Sequence, residues 1–252
     1  MDDHALGSTN LAAFIAATAG RNGTVATLPG GVAVAGPVAV PNAFVDAAVS
    51  TDANCSPVEF LDDVTAFYAE QGRAFVLWAP ASSHDLIDEA TSRGATPDPD
   101  RPPAMSVHSP IEFSTELRVT PVASADDGAV FGDLAERGYE IPGLAWLLER
   151  HDSYRAPDIT WVVVADENEP LGVGCGFASG GCGGVYYVAT PPEHRGRGVA
   201  AAATAWITNR LFAGGASRVV LQSSQAGLSV YTRLGFEIDV EYRRFTFADP
   251  RL

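Results

Sequence analysis

The chain of 252 residues contains no lysine. All 16 of its basic residues are arginine, set against 31 acidic residues and a net charge of −15. A surface this acidic argues against general binding to nucleic acid or to anionic membranes. It leaves room for a small anionic ligand, because charges beyond about 8 Å are largely screened at physiological salt and local donors decide. Cysteine is scarce. Cys55, Cys175 and Cys182 make a poor disulfide framework, and the six-residue gap in "CGFASGGC" fits no common zinc spacing, so small buried or half-buried thiols and no metal are expected. No run reaches the roughly 18 apolar residues of a membrane-spanning helix. The start, "MDDHALGSTN", is acidic where a secretory signal is basic and then apolar, which points to a cytoplasmic protein with no membrane partner. A Walker loop is excluded for want of "GKS" or "GKT". No third glycine completes a dinucleotide fingerprint.

What is present reads as alternating helices and strands. "TNLAAFIAATAG" suits a short helix capped by Thr9 or Asn10 and ended by Gly20. The valine-rich stretch that follows is broken by Gly and Pro and reads as short strands. Ser56, Pro57 and Glu59 have the spacing of a helix start, and Gly72 stops that helix. "RAFVLWAP" is a buried-type strand, "SSHDLIDEATSRGA" a helix closed by Gly94, and "AMSVHSPIEF" a strand. From residue 116 the pattern starts again. Two helical stretches precede three strands joined by the turns "DENEP" and "SGGCGG". A helix ending at Gly214–Gly215 follows, then strand "RVVLQSS", helix "AGLSVYTRLG" and strand "RRFTFAD". The order helix, strand, helix, strand occurs in both halves, which suggests two related units. The expected division is a helical segment over 1–23, a first unit over 24–115 and a second over 116–252.

The stretch "ATPPEHRGRGVAAA", residues 189–202, carries the chemistry. A strand feeds through a Pro pair and an Arg/Gly turn into a helix. Helix N-termini hold unpaired amides and roughly half a positive charge, so they suit anions. Gly196, Gly198, Ala200 and Ala201 let a phosphate approach the backbone, while Arg195 and Arg197 add forked donors. A solvent-facing corner would use the same residues. The first unit has "STDANCSPVEF" at the corresponding place and lacks the Arg/Gly loop.

One helix later stands "LQSSQAGLSVYTRLGF". Together the two motifs resemble the GNAT superfamily of acyl-CoA-dependent N-acetyltransferases. Its loop pattern Q/R-x-x-G-x-G/A reads here as Arg195, Gly198 and Ala200, and its later Y-x-x-x-G-F as Tyr231, Gly235 and Phe236. The resemblance covers residues 116–248 well and 24–115 as a degenerate copy. It implies an α/β (α+β) fold of tandem GNAT-like units, with a mixed, mostly antiparallel sheet flanked by helices.

The resemblance also implies roles. Strand 185–190 would splay from strand 218–223 and admit acetyl-CoA as co-substrate. Val188 and Thr190 would pair with the pantetheine arm. An N–H near Val188 or Ala189 would polarise the thioester carbonyl. The amides of Arg195, Gly196, Arg197, Gly198, Val199, Ala200 and Ala201 would hold the pyrophosphate. Tyr231 would be the general acid for the leaving thiolate. Ser224 stands where many members carry Asn; it can cap helix 225–234 or reach the CoA arm. The base is unassigned among Glu193, Glu140, His151, Asp152 and Asp158, each of which also suits a solvated surface. His194 can meet the CoA phosphates or face solvent. Tyr186 and Tyr187 should alternate across the sheet, one towards the acceptor groove. Trp146 and Trp161 are expected in the core. The activity implied is acyl transfer to the amine of a small molecule or peptide, with net charge mildly favouring a cationic acceptor. The alternative is a non-catalytic CoA-binding sensor or interaction module. A homodimer stays open, since some members complete their sheets by pairing chains, though a tandem copy can do so alone.

Overall fold

The computed structural model describes residues 3–39, 42–151, 156–167 and 169–248. The chain forms two compact units, one of residues 1–104 with 238–252 and one of residues 105–237.

In the first unit α1 (Asp3–Thr18) precedes the hairpin β1 (Thr24–Leu28) and β2 (Gly31–Ala35). Then come β3 (Ala47–Ser50), α2 (Pro57–Gln71), β4 (Phe75–Pro80), α3 (His84–Ser92) and the short β5 (Thr96–Pro97). Helix α1 starts earlier than its sequence suggests: Thr9 and Asn10 lie inside it, and Leu11, Phe14 and Ile15 are fully buried. Strand β2 is antiparallel to β1 and β3, while β3 and β4 are parallel. A parallel pair needs a crossover, and α2 supplies it. Ser56 Oγ accepts the Glu59 N–H at 3.4 Å, Pro57 sits in the first turn, and Gly72 takes φ 63°, as the sequence predicts. The buried face of α2, Phe60, Leu61, Val64 and Tyr68, packs on Phe75 and Leu77 of β4.

In the second unit β6 (Pro103–Val107), which begins in the first unit, lies beside β11 (Arg218–Gln222); there Arg218 Nη2 donates to Ser106 Oγ at 2.9 Å. Strands β7 (Arg118–Pro121), β8 (Ile159–Ala165), β9 (Pro170–Ser179) and β10 (Cys182–Ala189) form an antiparallel run, with α4 (Ala125–Tyr139) and α5 (Leu144–His151) between β7 and β8. Strand β10 is parallel to β11, and α6 (Val199–Ala213) is the crossover. The short α7 (Leu228–Arg233) follows β11. Alternate glycines on β9 let α6 lie close: a Cβ at Gly172, Gly174 or Gly176 would come within 2.6–2.9 Å of Val199 or Ile207. Each unit is thus a mixed, mostly antiparallel sheet flanked by helices.

The last strand, β12 (Glu237–Phe247), departs from the sequence-based division. It pairs antiparallel with β4 from Tyr242–Pro80 to Phe247–Phe75, and also with β5. Phe247 stacks on Phe75 at 4.5 Å, and Phe245 joins the same core. The "RRFTFAD" strand expected to close the second unit therefore has its ladder in the first. Alternating apolar residues specify a strand; they do not name its partner. Among the described residues no helix is long and apolar enough to cross a membrane.

Candidate active site

The site expected from sequence falls wholly within the second unit. Strands β10 and β11 pair from Cys182–Arg218 to Val185–Leu221 and go no further. One residue later β10 bulges against β9: the register shifts between Tyr186 and Ala189, and Tyr187 adopts φ 49°. A positive φ is uncommon for a bulky residue and marks a locally strained turn. The bulge takes Tyr187 and Val188 out of the β9 ladder just where the β11 ladder has stopped. Val188, Ala189 and Thr190 therefore line a gap between parted parallel strands. Thr190 Oγ1 is buried there without a partner among the described residues.

The Arg/Gly loop follows. A short 3-10 turn, Pro192–His194, leads to Arg195, and Gly196 and Gly198 take φ 79° and 80°. Gly198 is the N-cap of α6, with no side-chain cap. The Ala202 N–H bonds to Gly198 O, so the amides of Val199, Ala200 and Ala201 precede the helical ladder. A Cβ at Gly196 or Gly198 would meet nothing within 4 Å, so the space over this helix end is open. Both arginines brace the loop. Arg195 donates to Thr190 O and Gly138 O, each at 3.2 Å, and reaches Glu140 Oε2 at 3.5 Å. Arg197 meets Asp166 at 2.6 Å and Glu169 at 3.4 Å. Apart from Thr190, the partners lie 28 to 57 residues away, so this bracing was not legible in the sequence.

Helix α4 ends against the gap. A Cβ at Gly138 would lie 2.8 Å from Ala189 Cβ and 2.9 Å from Thr190 N. Tyr187 stacks on Trp161 with centroids 5.6 Å apart, and Tyr139 meets Tyr187 edge-on at 6.4 Å. The bulge thus breaks the expected alternation: Tyr186 faces Cys175 across the β9 ladder, and Trp161 faces Cys175 from β8, so the Tyr187 ring returns to the side Tyr186 already occupies. Burial pushes the Tyr187 hydroxyl well above its ordinary pKa, helped by the Cys175 thiol. Tyr139 keeps 40% of its surface exposed, yet desolvation of its hydroxyl end, followed by Tyr231, Tyr187 and Cys175, raises its pKa too. Tyr231, on α7, is buried and edge-on to Phe236, and desolvation pushes its pKa up to about 12.

The remaining candidates scatter. Ser224 is exposed and does not cap a helix at 225: its Oγ accepts the Gly227 N–H at 3.2 Å, a turn ahead of α7, which starts at Leu228. His194 is buried, with Nδ1 3.8 Å from Glu169. Glu193 pairs with Arg137, and that hydrogen bond lowers its pKa. Glu140 is the left-handed residue ending α4, φ 57°, and Asp158 sits at the far end of β9, its carbonyl bonded to Ala178 N. Asp152 and the side chain of His151 lie outside the described residues. Trp161 is buried as expected, but Trp146 is 46% exposed, because it lies on the outer face of α5.

The second unit, with its parted strands, bulge and open helix start, has counterparts among known proteins. Residues 130–236 match the Acetyltransferase (GNAT) family. Among solved structures, a GCN5-related N-acetyltransferase from Kribbella flavida is similar over 99% of this chain and 96% of its own, with 20% identity and TM-score 0.76. A GCN5-related N-acetyltransferase from Sphaerobacter thermophilus is similar over 96% and 93%, with 14% identity and TM-score 0.60. A tandem GNAT protein from the clavulanic acid biosynthesis pathway is similar over 86% and 78%, with 11% identity and TM-score 0.59. At these identities the likeness is one of fold. No curated protein matches the chain in sequence.

Proposed function

We propose that the second unit is an acyl-CoA-dependent N-acyltransferase that uses acetyl-CoA and transfers its acyl group directly to the amine of a small molecule or peptide. The first unit, a degenerate copy without the Arg/Gly loop, serves as its scaffold in a tandem arrangement. The observation that carries the reading is the β10–β11 pair, which parts after Val185–Leu221 and opens beside an uncapped helix start. The backbone of Val188, Ala189 and Thr190 binds the pantetheine arm, and the 195–201 amides bind the pyrophosphate. An amide in the bulged segment, near Val188 or Ala189, stabilises the carbonyl oxygen as the tetrahedral intermediate forms.

The amine, once deprotonated, attacks the thioester carbon. A C–N bond forms, the C–S bond breaks, and the thiolate takes up a proton. Tyr231 is protonated at neutral pH, because burial holds its pKa near 12. Against an ordinary thiol near 8.5, full transfer from that phenol is uphill by roughly 5 kcal/mol. The hydroxyl therefore acts as a hydrogen-bond donor to sulfur while charge builds, and the proton that the attacking nitrogen sheds on becoming an amide balances the one the thiolate takes up. Calorimetric titration of the full chain with acetyl-CoA, using ATP as control, tests the reading. One site per chain and amine-dependent thiol release are expected. Absence of acetyl-CoA binding would overturn it.

A further inference from the structure

The sheet face that carries Tyr186 holds a row of side chains across four strands. Trp161 on β8 stands opposite Cys175 on β9, and Cys175 opposite Tyr186 on β10. Leu221 is the last β11 residue paired with β10, opposite Val185. Gln222, one step on, is thus brought beside Tyr186 and onto its face, because successive side chains alternate. The two ends of this row hold buried polar atoms without a partner among the described residues: Nε1 of Trp161, and both Oε1 and Nε2 of Gln222. Buried polar side-chain atoms are nearly always paired, and an amide unpaired at both ends is costly. This one sits where two strands part. A partner arriving from outside the chain accounts for it.

We propose that Gln222 reads a primary carboxamide on the acceptor, so that the acceptor is an amino acid amide-like amine whose C=O and syn N–H lie side by side next to the reacting nitrogen. The proposal rests on the N-acyltransferase reading above. A primary amide presents an acceptor and a donor side by side in one plane, and a second primary amide presents the complementary pair; a trans secondary amide cannot, because its C=O and N–H point in opposite directions. An ammonium group satisfies only Oε1, and a carboxylate satisfies only Nε2. The polycation that the net charge of −15 would favour therefore fits this point less well than an amide does. The Trp161 indole N–H, at the other end of the row, offers a donor to a second oxygen of the same ligand. The surroundings are desolvated, as the raised pKa values of Tyr139 and Tyr187 show, and hydrogen bonds are stronger there than in water.

The test compares three amines of one body on the full chain: phenylalaninamide with its primary carboxamide, phenylalanine methyl ester and phenethylamine. Thiol release from acetyl-CoA is followed for the wild type and for Gln222→Leu. A site built to hydrogen-bond a group rejects analogues that lack it, so kcat/KM for the amide should exceed that for the ester by about tenfold or more. In Gln222→Leu that ratio should collapse towards one. The variant should melt no lower than wild type, since it removes a buried unpaired amide. Four results would each overturn the proposal: no amide preference in the wild type, a preference that survives in Gln222→Leu, acetyl-CoA binding without turnover of any of the three, or a variant that loses acetyl-CoA affinity instead. The last would assign Gln222 to the donor. A wild type that does not bind acetyl-CoA at all sinks the acyltransferase reading itself, and so is distinguished from these.

Discussion

Two crossover helices in this chain leave the first strand of a parallel pair and start in opposite ways. Helix α2 closes its own end: Ser56 accepts the Glu59 amide, and the Glu59 carboxylate lies in the first turn, where it offsets the helix dipole. Helix α6 starts on Gly198 at φ 80°, with no side-chain cap and open space over it. The backbone problem is the same in both places: three or four amides without helical partners. The first unit solves it with its own side chain and an acidic surround, so an anion has nothing to gain there. The second leaves the amides for something else to satisfy. A shared topology thus gives one corner closed by its own side chain and one left open, which the proposed acyl-CoA would fill.

The sharpest way to test that contrast is Tyr231→Phe. Loss of the donor hydroxyl should lower kcat by about 10²–10⁴-fold while acetyl-CoA affinity measured by calorimetry stays within a few-fold. Tyr68 in the first unit, also buried, donates to Val34 O at 2.6 Å, and is the matched control. Tyr68→Phe should cost stability and leave kcat alone. Unchanged turnover in Tyr231→Phe would favour a CoA-binding sensor over an enzyme.

The next largest effect should come from Gly198→Glu. It places a side chain at φ 80° and a carboxylate over the open helix start. The left-handed conformation alone costs a non-glycine residue about 1–2 kcal/mol, which Gly198→Ala would report separately. With the charge added, acetyl-CoA affinity should fall roughly hundredfold, about 2.8 kcal/mol. The mirror change in the first unit, Ser56→Ala, should leave affinity untouched and lower stability by about 1 kcal/mol in urea unfolding. Equal effects of the two on acetyl-CoA binding would erase the contrast between the corners.

Alkaline pH should weaken both units. Desolvation raises Tyr231 in the second unit and Tyr242 in the first to about 12. The unfolded chain loses these protons near pH 10, before the folded chain does. Stability is therefore intact below pH 10 and falls as pH rises to 12, on the order of 3 kcal/mol for each such group. Tyr231→Phe should remove the share of the second unit and Tyr242→Phe that of the first, read as unfolding free energy against pH. A flat profile to pH 12 would show that neither hydroxyl is desolvated.

A smaller effect is expected at Gly138. Alanine normally favours a helix over glycine by up to about 1 kcal/mol. Here its Cβ would meet Ala189 and Thr190 at 2.8–2.9 Å. Gly138→Ala should destabilise by about 1–3 kcal/mol in urea and weaken acetyl-CoA binding by disturbing the gap. A stabilised variant would mean that α4 does not close against β10.

Much of this was legible beforehand because its causes are local. Ser56, Pro57 and Gly72 bound α2 within one turn of themselves, and Gly214–Gly215 ends α6 as its sequence implies. The glycines of the Arg/Gly loop announce left-handed backbone, and both take it. What failed to show has its cause far along the chain. The helix over 3–18 depends on the burial of Leu11, Phe14 and Ile15, so Thr9 and Asn10, good caps in isolation, lie inside it. Ser224 looks like a helix cap and instead holds a turn.

The sequence by itself determined the alternation of helices and strands, the glycine-lined turn into α6 and the order of the motifs, because period, capping and backbone freedom act over a few residues. Only the tertiary structure decided that β12 completes the sheet of the first unit, that a bulge at Tyr187 turns both tyrosines of "YY" to one face, and that Arg195 braces the end of α4. Those three rest on pairings beyond one turn or helix end, from the neighbouring β9–β10 ladder to partners more than 150 positions apart, and no local spacing encodes which partner completes a ladder or fills a face.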